Sequence, residues 1–236
     1  MHYVVGIIIV GLTWLPFYIY RRDLRKDMIW SGLYYMLILS FGFILIKFVA
    51  PNLSPERTIV PGYWNPDTLF NLGRITGGYA LEDAVYMFFT GGIAAALYET
   101  LFRKKLGHIH LKHRPHYALL TGLIAATSIY IFLPVNLIYV LIGFGFSVAL
   151  VICLQRNDLI PHVILGGISY LFVYTVLSLI FLGVYPNYVH DYYSVQNLSG
   201  ILLSRVPLEE YLFAFSFGLS WSPIYEYVRG IKDIKQ

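Results

Sequence analysis

Seven apolar stretches, each long enough to cross a bilayer or nearly so, constrain this chain of 236 residues more than any other feature. The hydrocarbon core of a bilayer requires about 20 apolar residues per helix. Only 13% of the residues are charged, roughly half the share in a soluble domain. The sequence therefore predicts an all-α, polytopic membrane protein with seven transmembrane helices. The stretches lie near 3–20, 28–48, 79–101, 117–133, 135–154, 160–184 and 206–228.

The basic residues predict how these helices are oriented, because Lys and Arg are commoner in cytoplasmic loops. With seven spans, one side of the membrane receives 13 Lys and Arg residues and the other side receives four, namely Lys47, Arg57, Arg74 and Arg205. We therefore expect a multi-pass protein of the cell membrane, with the N-terminus outside and the C-terminus in the cytoplasm. A cleaved signal peptide is not expected, since no basic residue precedes the first apolar run.

Charge and cysteine content exclude several classes of partner and cofactor. The formal net charge of +4 is too small to indicate a nucleic-acid partner. The single cysteine, Cys153, allows neither an intrachain disulfide nor a cysteine-based zinc site. Four histidines lie in a loop rich in Lys and Arg, which we interpret as a contact for anionic membrane lipids. We expect no metal and no cofactor, and the oligomeric state stays open. The histidines are His108, His110, His113 and His116.

Two segments of the chain resemble each other at an offset of 127 residues. Such self-similarity predicts two parallel three-helix repeats, 1–101 and 134–228, joined by a linking helix at 117–133 in one membrane domain that spans 1–236. A pseudo-twofold axis along the membrane normal should relate the repeats. The matches are Gly73 with Gly200, Leu81-Glu82-Asp83 with Leu208-Glu209-Glu210, Phe88 with Phe215, Gly91 with Gly218, and Tyr98-Glu99 with Tyr225-Glu226.

The few acidic residues give the main indication of chemistry. An ionised carboxylate at the centre of a bilayer costs about 2.5–3.5 kcal/mol, so such residues are usually functional. A carboxylate at the start of a helix can also serve only as a cap, but the duplication of adjacent pairs favours catalysis. Adjacent residues on a helix point about 100° apart, so we expect one of each pair to face a cavity. Six of the 13 acids lie in the two repeated helices: Glu82, Asp83, Glu99, Glu209, Glu210 and Glu226.

Carboxyl groups beside aromatic rings suit the chemistry of carbocations. A desolvated carboxyl close to a second carboxyl stays protonated and can act as an acid, while aromatic faces attract cations. The alternative is that the rings merely fill the membrane core. Near the cytoplasmic ends, Glu99 and Glu226 are predicted to support the site through interhelical hydrogen bonds or ion pairs with flanking Lys and Arg. The candidates for binding substrate and stabilising a cation are Trp64, Tyr86, Phe88, Phe213, Phe215 and Trp221.

The segment from Pro207 to Phe213 resembles the P-x-E-E-x-x-F signature of the membrane-integral lycopene cyclase domain family. This family includes two-subunit bacterial carotenoid cyclases, fused archaeal forms and the cyclase half of fungal bifunctional enzymes. The first repeat is similar, but Ala80 stands where the family usually has Pro, and Asp83 takes the second acidic position. The similarity covers essentially the whole chain. In the first repeat it rests on Tyr63-Trp64-Asn65-Pro66-Asp67, Gly73, Leu81-Glu82-Asp83 and Phe88.

The resemblance implies a lycopene β-cyclase type of reaction, an intramolecular, redox-neutral isomerisation without cofactor. One carboxylic acid protonates the terminal double bond of a linear carotenoid, the ring closes to a cation, and a base removes a proton to leave a β-ionone-type ring. The substrate is a lipid-soluble polyene that enters from the bilayer. The motif match ranks Glu82 and Glu209 first as catalytic residues and Asp83 and Glu210 next; which group is acid and which is base stays open.

Two alternative functions are compatible with the same pattern. One is a cyclase of another membrane-dissolved isoprenoid or terpenoid, since nothing in the sequence fixes the length of the substrate, the ring type or the number of rings. The other is a small proton-coupled transporter, because paired acids in symmetric repeats also describe a proton relay. Transporters usually have broken helices at the midplane and polar solute sites, whereas these acids lie at helix starts among aromatic residues.

Overall fold

The computed structural model describes residues 2–49, 54–76, 78–110 and 116–234. The chain is mostly helical, at 79%. Parts of the predicted first repeat (1, 50–53 and 77) and of the histidine-rich loop (111–115, with His113) lie outside the described residues. The helices are α1 (His2–Tyr20), α2 (Arg25–Val49), α3 (Leu72–Thr76), α4 (Leu81–Leu101), α5 (His116–Phe132), α6 (Leu137–Gln155), α7 (Ile160–Val184), α8 (Tyr188–Tyr192), α9 (Leu208–Trp221) and α10 (Ile224–Arg229).

Each of the seven predicted apolar stretches contains a helix, and within the described residues four helices are long and apolar enough to cross a membrane. These are α1, α4, α6, and α7 with the turn that precedes it from Asn157. Helix α5 has 17 residues, fewer than the roughly 20 that a bilayer requires. Helix α2 has 25 residues, and its side chains are described as far as Phe43. The four apolar helices indicate a membrane protein, while the count of seven spans stays a prediction.

The seventh predicted span, 206–228, is interrupted rather than continuous. Helix α9 ends at Trp221 and α10 begins at Ile224. Pro223 lies at the junction, and it has no N–H to donate to the preceding turn. The apolar pattern predicted one continuous helix here, and Pro223 explains why the structure has two.

Large apolar side chains cover the outer faces of the long helices. Leu12 on α1, Leu150 on α6 and Phe172 on α7 are all exposed, Phe172 at 68%. A soluble protein rarely leaves so many large apolar side chains in contact with water. This surface suits contact with the acyl chains of membrane lipids.

The central helices of the two halves pack in the same way. Helix α4 contacts α1 and α2, and α9 contacts α6 and α7. A Cβ added to Gly91 of α4 would lie 3.0 Å from Tyr35 Cβ of α2. A Cβ added to Gly218 of α9 would lie only 2.7 Å from Tyr170 Cβ of α7. Because α4 also contacts α7 and α9, these two central helices join the halves.

Four short strands correct the expectation of a purely helical chain. Strand β1 (Lys105–His110) pairs antiparallel with β4 (Ile231–Ile234), and β2 (Leu202–Leu203) pairs antiparallel with β3 (Val206–Pro207). Strands β1 and β4 follow the last helix of each half. Backbone N–H and C=O groups need hydrogen-bond partners once a helix ends. Strands β1 and β4 provide such partners for each other by pairing.

One arginine in each half binds the chain just where the last helix of that half ends. Arg21 donates to the carbonyl oxygens of Glu99 at 2.8 Å and Lys104 at 3.0 Å. The Glu99 carbonyl, near the end of α4, also accepts from the backbone N–H of Lys104 at 2.9 Å. Arg21 also forms an ion pair with Asp23 at 2.7 Å. In the second half, Arg156 makes the corresponding contacts with the carbonyl oxygens of Glu226 (3.4 Å) and Ile231 (2.7 Å) and with Asp158 (2.8 Å).

Substitution of Gly218 by Ala should destabilise the protein by about 1–3 kcal/mol, because the added Cβ would overlap α7. The matched control is Gly183→Ala, at a helical position where a Cβ would meet nothing within 4 Å. Because Ala favours a helix over Gly by about 1 kcal/mol, the control should be neutral or stabilising. Thermal unfolding in detergent measures both. Equal melting temperatures for the two variants would contradict the close approach of α9 to α7.

Candidate active site

A cavity of about 250 Å³ lies between the two halves. Helices α1, α2 and α4 of the first half and α6, α7 and α9 of the second half contribute to its walls. Its lining is mostly aliphatic and aromatic. Among the described residues that line it, the carboxylates are Asp83 and Glu210. Each half of the chain therefore supplies one acid to a shared apolar space.

Asp83 lies in the first turn of α4, where both of its carboxylate oxygens are bound. Oδ2 accepts a hydrogen bond from the backbone N–H of Ala80 at 2.7 Å, and Oδ1 accepts one from the hydroxyl of Tyr3 on α1. The backbone bond holds the side chain against the start of its own helix. The tyrosine ties this helix to α1 beside the cavity.

Glu210 lies in the first turn of α9 and accepts hydrogen bonds from three tyrosine hydroxyls. Oε1 accepts from Tyr63 at 2.5 Å and from Tyr193 at 2.7 Å, and Oε2 accepts from Tyr174 of α7. All three hydrogen bonds of this carboxylate therefore come from side-chain hydroxyls, beside an apolar cavity.

The residue before each helix explains why the two acids are bound differently. Ala80 has an N–H, and that group occupies one oxygen of Asp83. The corresponding residue before α9 is Pro207, which has no N–H to donate. The carboxylate of Glu210 therefore takes side-chain hydroxyls instead. The departure from the family signature at Ala80 thus changes how Asp83, the acid of the first half that lines the cavity, is bound.

Two of the tyrosines that bind Glu210 lie in loops outside the long helices. Burial, and next the nearby carboxylate of Glu210, raise the pKa of the Tyr63 hydroxyl well above its usual range. The same two causes raise the pKa of Tyr193. Both hydroxyls therefore stay protonated at neutral pH and remain hydrogen-bond donors to Glu210.

The first acid of each pair is buried and binds the loop that precedes its helix. Glu82 accepts from the backbone N–H of Leu69, and Glu209 accepts from the N–H of Ser199 at 2.8 Å and from the hydroxyl of Tyr139. Neither glutamate is among the described residues that line the cavity. Within each pair, one residue faces the cavity and the other binds a loop. Asp83 and Glu210 line the cavity, whereas Glu82 and Glu209, which the motif ranks first, bind loops.

Half of the six aromatic candidates line the cavity. Phe88 instead packs near Trp14, with ring centroids 5.9 Å apart, and Phe215 packs near Phe146 at 6.2 Å. Residues two positions apart on a helix point about 200° apart, so these two rings face away from the site. Trp221 lies deeper along α9 and donates to the carbonyl of Ser31 at 3.3 Å. For these three residues the predicted contact with a cation lacks geometric support. Those that line the cavity are Trp64, Tyr86 and Phe213.

The sequence pattern did not predict the tyrosines that bind three of the four acids, Asp83, Glu209 and Glu210. The chain contains 21 tyrosines, and a hydroxyl inside an apolar helix needs a hydrogen-bond partner. The high number of tyrosines was therefore the feature of the sequence that indicated buried hydrogen bonds of this kind. The pairing itself was not predictable, because the partners come from separate helices and loops. The tyrosines are Tyr3, Tyr63, Tyr139, Tyr174 and Tyr193.

Glu99 and Glu226 meet in a second buried cluster at the other end of the central helices. His162 of α7 joins them, and the potential ligand atoms of the three residues all lie within 4.8 Å of one another. His162 Nε2 lies 3.4 Å from Glu99 Oε1 and 3.1 Å from Ser222 Oγ. This contact of Glu99 is interhelical, and its partner is a histidine rather than a flanking Lys or Arg. The residue types and spacing of the cluster are compatible with a metal ion.

Substitution of Glu209 by Ala should destabilise the protein by about 1–3 kcal/mol, because the Ser199 N–H and the Tyr139 hydroxyl lose their acceptor. Cleavage by protease in the loop at 193–207 should become faster. In Glu209→Gln an amide oxygen can still accept both bonds, so this control should keep most of the stability. Thermal unfolding and limited proteolysis in detergent measure the effects. Wild-type stability of Glu209→Ala would show that Glu209 does not hold the loop.

Comparison with known proteins identifies the family. The family model for lycopene cyclase matches residues 2–101 and 136–228, which is more than half of the chain. Both acidic pairs lie within the matched stretches. Comparison with curated proteins and with solved structures gives no significant match. The chain belongs to the lycopene cyclase family.

Proposed function

We propose that this protein is a carotenoid β-cyclase that needs no cofactor and starts its reaction by protonating the substrate. Membership in the family supports a cyclase of carotenoid biosynthesis in general. The observation that carries the finer proposal is the shared cavity, in which Asp83 and Glu210 face an aliphatic and aromatic lining. The substrate is a linear carotenoid such as lycopene, and the product carries a β-ionone-type ring.

The hydrogen bonds of the two acids support different roles for them. Glu210, with three hydroxyl donors, is the ionised partner. Asp83 accepts from two donors rather than three, so it is the more readily protonated carboxyl of the two. Asp83 is therefore the acid and Glu210 is the base.

The reaction is balanced without an oxidant or reductant. Asp83 donates a proton to the terminal double bond of the acyclic end group, and a new carbon–carbon bond closes the ring while the charge moves to a ring carbon. Glu210 removes a proton from the neighbouring carbon, which restores a double bond. The product has the formula of the substrate, because Glu210 releases its proton to solvent and Asp83 takes one from solvent before the next turnover.

Aromatic rings assist the cationic stage of this reaction. Trp64, Tyr86 and Phe213 line the cavity, and ring faces attract a positive charge by about 0.5–2 kcal/mol. The carboxylate of Glu210 stabilises the same cation by charge. An apolar lining also keeps water from capturing the cation, which would give an alcohol instead of a ring double bond.

We also infer that residues 1–101 and 134–228 are parallel repeats linked by 117–133, within seven spans that start outside and end in the cytoplasm. The equivalent packing of Gly91 and Gly218 supports the repeats, as do the equivalent contacts of Arg21 and Arg156. The family model also matches one stretch in each half.

Proton-coupled transport is the second candidate. The break between α9 and α10 at Pro223, close to the buried Glu226, favours it, because transporter sites are built around interrupted helices. The lining of the cavity opposes it, since a site for a polar solute needs several polar groups. The apolar lining therefore favours the cyclase.

Substitution of Asp83 by Asn or of Glu210 by Gln should lower ring formation by about 10²–10⁴-fold, the usual contribution of a positioned acid or base. Membrane insertion and melting temperature should stay near those of the wild type. The measurement is pigment chromatography after expression in a host that accumulates lycopene, followed by rates for the purified protein.

The neighbouring variant Glu209→Gln is the matched control, because its amide oxygen can still hold the loop. It should retain much more activity than Glu210→Gln. An active Glu210→Gln together with an inactive Glu209→Gln would contradict the proposal and would move the chemistry to the acids that the motif ranks first.

A further inference from the structure

The buried cluster of Glu99, His162 and Glu226 takes no part in the proposed reaction. Glu99 follows Asp83 on α4 by 16 residues, which places the two acids roughly 24 Å apart along the helix at 1.5 Å per residue. The three side chains come from α4 in the first half and from α7 and α10 in the second half, and at most 1% of each is exposed. The cluster therefore joins the two halves at the end opposite the cavity acids.

The two glutamates of the cluster bring two carboxyl groups into one buried space. Ionised carboxylates at this separation repel each other strongly where the dielectric constant is low, so a proton or a cation must lie between them. Each of two nearby arginines donates to the backbone carbonyl of one of these glutamates and forms its ion pair with an aspartate, Arg21 with Asp23 and Arg156 with Asp158. A small divalent cation between the glutamates would balance both of their charges.

The imidazole of His162 presents one nitrogen to two oxygen atoms. Its Nε2 lies 3.4 Å from Glu99 Oε1 and 3.1 Å from Ser222 Oγ. In a Ser-His-acid triad the hydroxyl and the carboxylate lie at opposite nitrogens of the ring, so the cluster does not have the geometry of an activated nucleophile. The distance to Glu99 exceeds the about 2.7–3.2 Å of an ordinary N–H···O hydrogen bond. It matches the separation of about 3.4 Å between two ligands that each lie about 2.0–2.1 Å from a tetrahedral ion.

Neighbouring residues hold the imidazole in this position. The ring of Tyr98 stacks on His162, with centroids 4.0 Å apart and planes inclined by 19°. Gly166, one turn further along α7, allows Ser222 to approach, because an added Cβ there would overlap the Ser222 hydroxyl. Such outer partners orient the ligands of metal sites. The histidine is therefore set in place before any ion binds.

We propose that Glu99, His162 and Glu226 bind a divalent cation of the first transition row, with Zn²⁺ as the best match, and that this ion clamps α4 to α7 and α10. Zn²⁺ accepts imidazole nitrogen and carboxylate oxygen, often from three side chains with a water in the fourth position. The role is structural, so cyclisation still needs no cofactor and the inference does not depend on the proposed function. The sequence pattern predicted no metal, because the three ligands lie in separate segments of the chain.

Metal analysis of the full-length protein tests the site directly. The protein is purified in detergent with an affinity tag that contains no histidine, and its metal content is measured by mass spectrometry. A chelator then removes the metal, and Zn²⁺ or Co²⁺ is added back alone. We expect one Zn²⁺ per chain, a lower melting temperature after chelation and its recovery with Zn²⁺. Bound Co²⁺ should show the visible absorption of an ion with nitrogen and oxygen ligands.

His162→Asn and Glu226→Gln should each weaken Zn²⁺ binding by about 100-fold or more, since loss of an outer partner alone costs about 10–100-fold. Both should also lose the visible absorption of Co²⁺. The matched control is Asp27→Asn, because Asp27 and His162 are each the third residue of a 25-residue helix. Asp27 is equally shielded, at 3% exposure, but its carboxylate accepts a hydrogen bond from Tyr225. This control should bind Zn²⁺ as the wild type does.

Unchanged Zn²⁺ binding in both cluster variants would overturn the site and would identify an adventitious ion only. A wild-type protein that neither contains metal nor gains thermal stability from added Zn²⁺ would also overturn it, and a shared proton would then hold the two glutamates together. If the variants do not insert into the membrane, chelation and reconstitution of the wild type decide the question alone. Because no step measures ring formation, failure of this proposal leaves the proposed function untouched.

Discussion

The hydrogen bonding of one carboxylate, Glu210, organises the candidate site. A charge beside an apolar space is stable only when donors surround it, and Glu210 meets this requirement with three tyrosine hydroxyls. Tyr63 and Tyr193 come from loops in the two halves of the chain, and Tyr174 comes from α7. The hydrogen-bonding requirement of this one charge thus brings three distant segments over the start of one helix, beside the cavity.

The two residues of each acidic pair make different contacts, and the difference is the same in both halves. The first acid of each pair, Glu82 or Glu209, binds the loop before its helix, and the second acid faces the cavity. Close packing at Gly91 and Gly218 fixes how α4 and α9 are rotated about their axes. That rotation decides which of two adjacent side chains, about 100° apart, turns inward. The glycines and the acids therefore form one arrangement, in which the cavity is lined by Asp83 and Glu210 rather than by the acids that the family motif ranks first.

The apolar runs predicted where the helices lie, since hydropathy is a property of each segment alone. The repeat and the helical geometry likewise predicted that one acid of each pair would face a cavity. The tyrosine partners, His162 and the pairing of β1 with β4 could not be predicted, because each depends on contacts between segments far apart in sequence. The break at Pro223 had a local signal in the proline, but proline also occurs within transmembrane helices.

The central claim is that a carboxyl group starts the reaction by placing a solvent-exchangeable proton on the substrate. Mass spectrometry of the ring formed from lycopene in deuterium oxide tests this most directly. The account predicts one deuterium for each ring formed and no other change in the formula of the carotenoid. A cyclic product without deuterium, or one that has lost hydrogen or gained oxygen, would contradict it.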